Sequence, residues 1–159
     1  MTELTEREKA MNAETWEHIS CVQHLLHHVI TALQYRALSH DQSKLRPPEV
    51  SIFAEYTPKL RGTTYGSEEY KRFLAEMKPA LDHHYANNSH HPEHFENGIN
   101  GMTLLDLIEM LADWKAATMR HADGDLRRSF EINRERFGIG EQLYSILRNT
   151  ALRMGWLKE

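Results

Sequence analysis

Apolar residues recur every three or four positions along almost the whole chain, which is the pattern of amphipathic helices. The longest apolar stripe predicts a first helix over residues 13–38. Its members are Ile19, Val22, Leu26, Val29, Ile30, Leu33 and Ala37. No segment alternates between apolar and polar residues as a half-buried strand does. The pattern predicts an all-α fold, a compact single-domain helical bundle of about six or seven helices over residues 1–159.

Cap and turn residues divide the rest of the chain into further helices. Pro48 favours a helix start before "EVSIFAEY", and Ser67 before two acidic residues predicts an N-cap. Pro79 predicts a bend or a restart, and Thr103 predicts the N-cap of "LLDLIEMLADWKAATMRH". Breaks are expected at "RGTTYGS", "SHHPEHFENGINGM" and "ADGD". The last two helices are expected around "LRRSFEINRERF" and "EQLYSILRNTALRM", with "GIG" between them.

The composition is that of an ordinary globular protein, with 40% hydrophobic and 26% charged residues among 159. The net charge of −4 predicts no stable nucleic-acid binding. No stretch has the length of a transmembrane helix, and the charged N-terminus lacks an apolar signal core. The single cysteine, Cys21, fits a reducing compartment. Together these features predict a cytoplasmic protein with no membrane contact.

Eleven histidines raise the question of which ones point inward. If the apolar stripe of the first helix faces the core, His18 falls on the border of the buried face at about 100° per residue. His24 and His28 then point away from it, as a solvated cluster would. His18 is therefore the best inward candidate of this helix. The alternative is a boundary histidine bonded to a carbonyl group.

The stretch "HDQSK" places His40 beside Asp41. On a helix their directions differ by about 100°, so both reach one ion only if it lies above the edge between them. A neutral imidazole and a carboxylate suit zinc, iron or manganese. Lys44 follows three residues later and would point toward the same place, where its ammonium could hold a substrate anion. The alternative is a surface ion pair between Asp41 and Lys44.

Three carboxylates share one face of the helix that contains "EMLADW", namely Asp106, Glu109 and Asp113. A solvated acidic face is the usual explanation of such a group. The surrounding residues are mostly apolar, however, which predicts that at least one of these carboxylates is partly buried. A buried carboxylate needs a partner, and a metal ion is one such partner.

The order of these motifs is a helical histidine, "HDQSK", "HHYANNSHHPEH" and "EMLADW". It resembles the HD superfamily of all-α metal enzymes. "HDQSK" looks like the HD-x-x-K variant, in which the lysine lines the substrate site. "HHPEHFENGING" is similar to a stretch of the HD-GYP subfamily without its tyrosine–proline ending. The chain also resembles small uncharacterised HD-like proteins of bacteriophages and bacteria with HDxSK, NxHHPEH and EMxxDWKA motifs, and this likeness covers about residues 18–150.

The resemblance implies one or two divalent transition metals, from among Mn, Fe, Co, Zn and Ni. The ligands that it implies are His18, His40, Asp41, His84, His90, His91 and Asp113. Asp41 would bridge two metals, and His84 is preferred to His83 because it stands next to Tyr85. Which of His90 and His91 binds is left open. Glu109 would be a further ligand or would orient an imidazole.

The resemblance implies a metal-dependent phosphohydrolase that acts on a nucleotide or a related phosphate ester through a metal-activated water. Asp41 and Lys44 would be the catalytic residues, with Lys44 stabilising charge on the phosphoryl oxygens. The expected substrate contacts are Lys44, Arg36, Tyr85, Asn87 and Asn88.

Two other functions stay open at this point. Some HD-superfamily members with the same ligand set are mixed-valent di-iron oxygenases, and the sequence does not separate the two reactions. A non-enzymatic, phage-type regulatory or metal-binding protein would also explain a histidine-rich helical chain. The resemblance places the protein in a bacterial or phage-infected host cell, and the chain could form a homo-oligomer.

Overall fold

The computed structural model describes residues 3–63, 67–120 and 124–158. Across these residues it contains seven α-helices, three short 3-10 helices and no strand, which confirms the all-α prediction. The α-helices are α1 (Glu6–Ser39), α2 (Glu49–Arg61), α3 (Glu68–Glu76), α4 (Lys78–Asn87), α5 (Leu104–Thr118), α6 (Leu126–Phe137) and α7 (Glu141–Arg153). The 3-10 helices are Gln42–Leu45, Pro92–His94 and Gly98–Gly101. Among the described helices, none has both the length and the apolar character that a membrane crossing requires.

Backbone contacts divide the chain into two units, Met1–Leu38 and Ser39–Glu159. That residues 1–159 form one domain therefore stays a prediction. In the first unit, α1 begins earlier than the apolar stripe indicated. The reason is a reciprocal cap ahead of the stripe: the Glu8 amide donates to the Thr5 hydroxyl at 3.3 Å, and the Thr5 amide donates to the Glu8 carboxylate at 2.7 Å.

Most helix starts in the second unit agree with the cap residues of the sequence. The Tyr70 amide donates to Ser67 Oγ at 3.1 Å, and Thr103 forms a capping box with Asp106. Pro79 lies in the first turn of α4, so the helix restarts there. The predicted breaks "RGTTYGS" and "ADGD" include residues 64–66 and 122–123, which lie outside the described part of the chain.

The hydrophobic core of the second unit joins α5, α6 and α7. Its buried members are Ile99, Leu107, Met110, Leu111, Leu126, Phe130, Ile139, Leu147, Ala151 and Leu157. Trp114 packs edge-on against Phe130, with the ring centroids 5.9 Å apart. Each fully buried large side chain contributes about 1.5–3 kcal/mol, so this face of α5 is firmly held. Glu109 and Asp113 lie beside this face on the same helix, which fixes their position as well.

A second packing region positions the histidines of α4. Helix α2 packs against α4 and against the 3-10 helix Gln42–Leu45. Met77 and Ala80 are buried at the start of α4. This arrangement brings the first turn of α2 beside the last turns of α4.

Candidate metal centre

Helix α1 ends at Ser39, and the motif that follows does not continue it. Asp41 has φ 57° and ψ 13°, which is the left-handed region, and the 3-10 helix begins directly after it. The regular helical geometry assumed for His40 and Asp41 is therefore wrong. This backbone conformation costs a residue with a side chain about 1–2 kcal/mol, although aspartate tolerates it better than most. The contacts of the Asp41 side chain hold it in place.

Those contacts place imidazole nitrogens on both sides of the Asp41 carboxylate. Its Oδ1 lies 3.4 Å from Nε2 of His84 and 3.6 Å from Nε2 of His90. Its Oδ2 lies 3.6 Å from Nε2 of His40 and accepts a hydrogen bond from Nζ of Lys44 at 2.6 Å. Asp41 Oδ1 and His90 Nε2 are buried and have no hydrogen-bond partner in the described part of the chain. Leaving such groups unpaired is costly, and a cation between them would satisfy both.

Two groups of side chains with the spacing of metal ligands share Asp41. The histidine-rich group comprises Asp41, His84, His90 and His91, and the mixed group comprises His40, Asp41 and Asp113. In each group the candidate ligand atoms lie within 4.8 Å of one another. His40 Nε2 is 3.6 Å from Asp113 Oδ1 in the mixed group. The donor sets, imidazole nitrogen with carboxylate oxygen, are those of transition-metal sites.

Glu109 lies on the opposite edge of two of these imidazoles. Its Oε1 is 2.8 Å from Nδ1 of His40 and 3.0 Å from Nδ1 of His90. A carboxylate that accepts both Nδ1–H groups leaves the two Nε2 atoms free to face Asp41. Of the two roles expected for Glu109, the geometry favours the orientation of imidazoles over metal ligation. His40, His90 and Glu109 also have ligand spacing as a set, but these contacts already have hydrogen-bond lengths.

The charges of the site follow from burial and from these contacts. Hydrogen bonds to Asp113 and Glu109 raise the pKa of His40 to about 10. Burial, reinforced by the charges of His90 and His84, lowers the pKa of His91 to about 3. Burial also lowers the pKa of His84. For Asp41, burial opposes ionisation, but the Lys44 hydrogen bond and charge outweigh it and lower the pKa.

The pKa of Asp113 is lowered, as that of Asp41 is. Burial works to raise its pKa, but the hydrogen bond and charge of His40 lower it overall. At neutral pH the carboxylates of Asp41 and Asp113 are therefore ionised, and the imidazoles of His84 and His91 resist protonation. Ionised carboxylates and neutral imidazoles are the forms that bind metals.

A family model matches residues 7–153, which is nearly the whole chain. The chain belongs to the family of unknown function DUF5662. No curated protein and no solved structure matches it. Since DUF5662 has no assigned function, the resemblance to HD enzymes and the ligand roles drawn from it stay predictions.

The structure of this DUF5662 chain brings most of the predicted ligands together in its second unit. These are His40, Asp41, His84, His90, His91 and Asp113. His18 and Arg36 belong to α1 in the first unit, so their roles stay predictions. Asp106, which shares a helix with Glu109, instead caps α5 and accepts a hydrogen bond from Ser89 at 2.6 Å.

The predicted substrate residues of the second unit lie around this centre. Besides its contact with Asp41, Lys44 Nζ is 5.7 Å from the ring centroid of Phe53. The Tyr85 ring is 5.1 Å from that of His91. Asn87 is exposed and donates to the backbone oxygen of His83 at 2.7 Å. Their contacts with a substrate stay predictions.

Two polar residues close to His84, Ser43 and Glu49, have no role in the sequence analysis, and a third, Asn88, has a different role from the predicted one. Asn88 was expected to contact substrate, but it is buried and its amide donates to Ser43 Oγ and to the His84 backbone oxygen, both at 2.8 Å. Glu49 has no exposed surface and contacts two imidazoles. Burial raises its pKa, but hydrogen bonds from His83 and Ser43 lower it overall. Its place after two prolines resembles an ordinary acidic helix start, so only the packing reveals it.

Proposed function

We propose that this protein binds two divalent transition metals bridged by Asp41, and that it is a metal-dependent phosphohydrolase acting on a nucleotide or a related phosphate ester. The observation that most supports the proposal is the Asp41 carboxylate. Its buried Oδ1 has no hydrogen-bond partner in the described ranges and faces Nε2 of His84 and of His90 at 3.4 and 3.6 Å. Its Oδ2 faces His40 and Lys44.

The two groups would favour different metals. The histidine-rich group offers three imidazoles and one carboxylate, a set that suits zinc, iron, cobalt or nickel. The mixed group offers one imidazole and two carboxylates and suits manganese as well. When bound, the metals supply an activated water near neutral pH and polarise a phosphoryl oxygen. Asp41 belongs to both groups, so it would be a ligand common to the two metals.

Lys44 supplies the positive charge for the substrate. Its ammonium group lies at the Asp41 carboxylate, and its side chain is 37% exposed, so an anion from solvent can approach it. A charged lysine has no lone pair and is not a metal ligand. Its role is to bind the phosphoryl oxygens as their charge increases in the transition state. Tyr85 and Asn87 are proposed as further substrate contacts.

The activity can be tested on metal-free protein reloaded with Mn²⁺, Fe²⁺, Co²⁺ or Zn²⁺. We expect phosphate release from at least one member of a panel of nucleoside mono-, di- and triphosphates and a nitrophenyl phosphodiester. Elemental analysis of the same sample should give about two metals per chain. Full metal content with no turnover on any ester would contradict the hydrolase. Oxygen consumption by the iron-loaded sample would then support the oxygenase alternative.

Metal binding should release a proton from His40. Its pKa is raised from 6.5 to about 10, so the metal-free protein holds this imidazole protonated at pH 8, whereas a ligand must be neutral. Zinc binding at pH 8 should therefore release about one proton from this residue, and apparent affinity should increase with pH toward 10. His91, with a pKa of about 3, contributes none.

Calorimetric titrations in buffers with different ionisation enthalpies give the number of protons released. The His40→Ala variant provides the reference, because the proton assigned to His40 should be absent from its titration. Equal proton release by this variant and by the unaltered protein at pH 8 would contradict His40 as a ligand.

A further inference from the structure

Glu49 is a buried carboxylate outside both candidate ligand groups. It begins α2, and its side chain has 0% exposed surface. Its Oε2 is 2.9 Å from Nδ1 of His84, and its Oε1 is 2.7 Å from Nδ1 of His83. Ser43 Oγ lies beside this pair, 3.3 Å from Nδ1 of His84. Glu49 thus lies within hydrogen-bond distance of two imidazoles at a position that excludes water.

The hydrogen bonds around His84 determine which ring nitrogen carries its proton. Asn88 Nδ2 lies 3.0 Å from Nδ1 of His84, but it also lies 2.8 Å from Ser43 Oγ and 2.8 Å from the His84 backbone oxygen. An amide nitrogen has two hydrogens, and these two oxygens accept both. Ser43 Oγ is also near Nδ1 of His84, at 3.3 Å, but Glu49 Oε2 is nearer, at 2.9 Å. Because an ionised carboxylate only accepts, Nδ1 of His84 donates to Glu49. The Nε2 atom of His84 therefore keeps its lone pair.

That lone pair faces the candidate centre. Nε2 of His84 is 3.4 Å from Asp41 Oδ1 and 2.9 Å from Nε2 of His91. We propose that Glu49 is a positioning residue of the metal centre, which holds His84 as the Nδ1–H tautomer and so presents its Nε2 lone pair to a metal. This inference rests on the metal centre proposed above. It also gives a role to Ser43 and Asn88, which complete the hydrogen bonds of the same network.

Glu49 has the same relation to His84 that Glu109 has to His40 and His90. Each carboxylate accepts from Nδ1 and leaves Nε2 directed at Asp41. Glu49 lies on α2 and His84 on α4, so this hydrogen bond also links the two helices at the site. His83, the second imidazole on Glu49, is 40% exposed and takes no part in the two groups that share Asp41. It therefore offers a matched control.

The first measurement is made on the unaltered, metal-free protein. The ¹⁵N chemical shifts of its histidines, assigned by comparison with a His84→Gln variant, report the tautomer. We expect a protonated Nδ1 and an unprotonated Nε2 for His84. The opposite tautomer would overturn the proposal, and this result does not depend on the folding of any Glu49 variant.

The second measurement is the zinc affinity of three variants. Glu49→Met keeps the side-chain length but has no acceptor, and its affinity should fall about 10- to 100-fold. Glu49→Gln keeps one carbonyl oxygen that can accept from His84, and its amide can donate to the exposed His83. The zinc affinity of this variant should therefore stay near that of the unaltered protein. His83→Gln removes only the other contact of Glu49 and should also bind normally.

Unaltered affinity in Glu49→Met would overturn the proposal, as would an equal loss in Glu49→Gln or in His83→Gln. Neither the tautomer nor zinc affinity involves a substrate, so a missing phosphohydrolase activity would leave the role of Glu49 intact. Failure of the metal centre itself would show as weak zinc binding by the unaltered chain. Failure of the Glu49 role would show as the wrong His84 tautomer or as tight zinc binding by the Glu49→Met variant.

Discussion

Replacing Asp41 with asparagine is expected to abolish tight metal binding at both candidate groups, because Asp41 is the residue that the two groups share. Asparagine tolerates the left-handed backbone that Asp41 adopts, with φ 57°, so the fold around the motif should survive. It has no charge and only one side-chain oxygen, and it cannot bridge two cations. Metal content should fall from about two ions per chain to nearly none, and turnover should fall with it.

The comparison with His40→Ala makes this test specific. His40 belongs to the mixed group, so this variant should lose one metal and keep the ion of the histidine-rich group. Asp82→Ala is the matched control, because Asp82 is an exposed carboxylate of α4 that pairs with Lys78 at 2.7 Å. Elemental analysis after gel filtration gives the metal content of each variant. Full metal content in Asp41→Asn would show that Asp41 is no more than the partner of Lys44.

The helix starts were predictable from the sequence because caps are local. Ser67 and Thr103 each accept from a backbone amide three residues later, so the residues that form the cap stand side by side in the sequence. The apolar periodicity indicated the helices between the caps for a similar reason. At His40 and Asp41, by contrast, helical geometry was assumed, and the left-handed backbone of Asp41 departs from it.

The sequence identified some residues of the candidate site and gave no sign of others. His40, Asp41 and Asp113 stood out because imidazoles and carboxylates in that order resemble a known metal motif. Glu49 lacked any such signal, since an acidic residue in the first turn of a helix is ordinarily solvated and stabilises the helix end. It becomes a buried acceptor only because α2 packs against α4, a contact between segments far apart in the sequence.

For Glu49 the sequence predicted no role, whereas for Asn88 it predicted the wrong one. As an asparagine among histidines it was expected to contact a substrate, but its side-chain hydrogens go to Ser43 and to the backbone of His84. A sequence motif identifies a residue as polar and near the site. It does not say whether the residue faces the ligand or supports another side chain. Only the hydrogen-bond geometry separates the two roles.

Lys44→Ala should keep both metals and lose turnover by about 10²-fold or more, as when other charge-stabilising donors are removed. The ammonium group of Lys44 is within 2.6 Å of Asp41 Oδ2 and cannot itself bind a metal. Its contribution is therefore expected mainly in the transition state, where negative charge on the phosphoryl oxygens is largest. The loss should appear in kcat as well as in kcat/KM, with the Tm of the metal-loaded protein unchanged.

Lys59→Ala is the matched control for this test. Lys59 pairs with Glu55 at 2.7 Å and lies 4.3 Å from the Tyr56 ring centroid, so it also combines an ion pair with an aromatic contact. It lies outside both candidate groups, and its removal should leave turnover unchanged. Metal content and initial rates are measured on the same samples. Unaltered turnover in Lys44→Ala would reduce Lys44 to a surface partner of Asp41, whereas a loss of metal would mean that the lysine holds the Asp41 carboxylate in place for the metals.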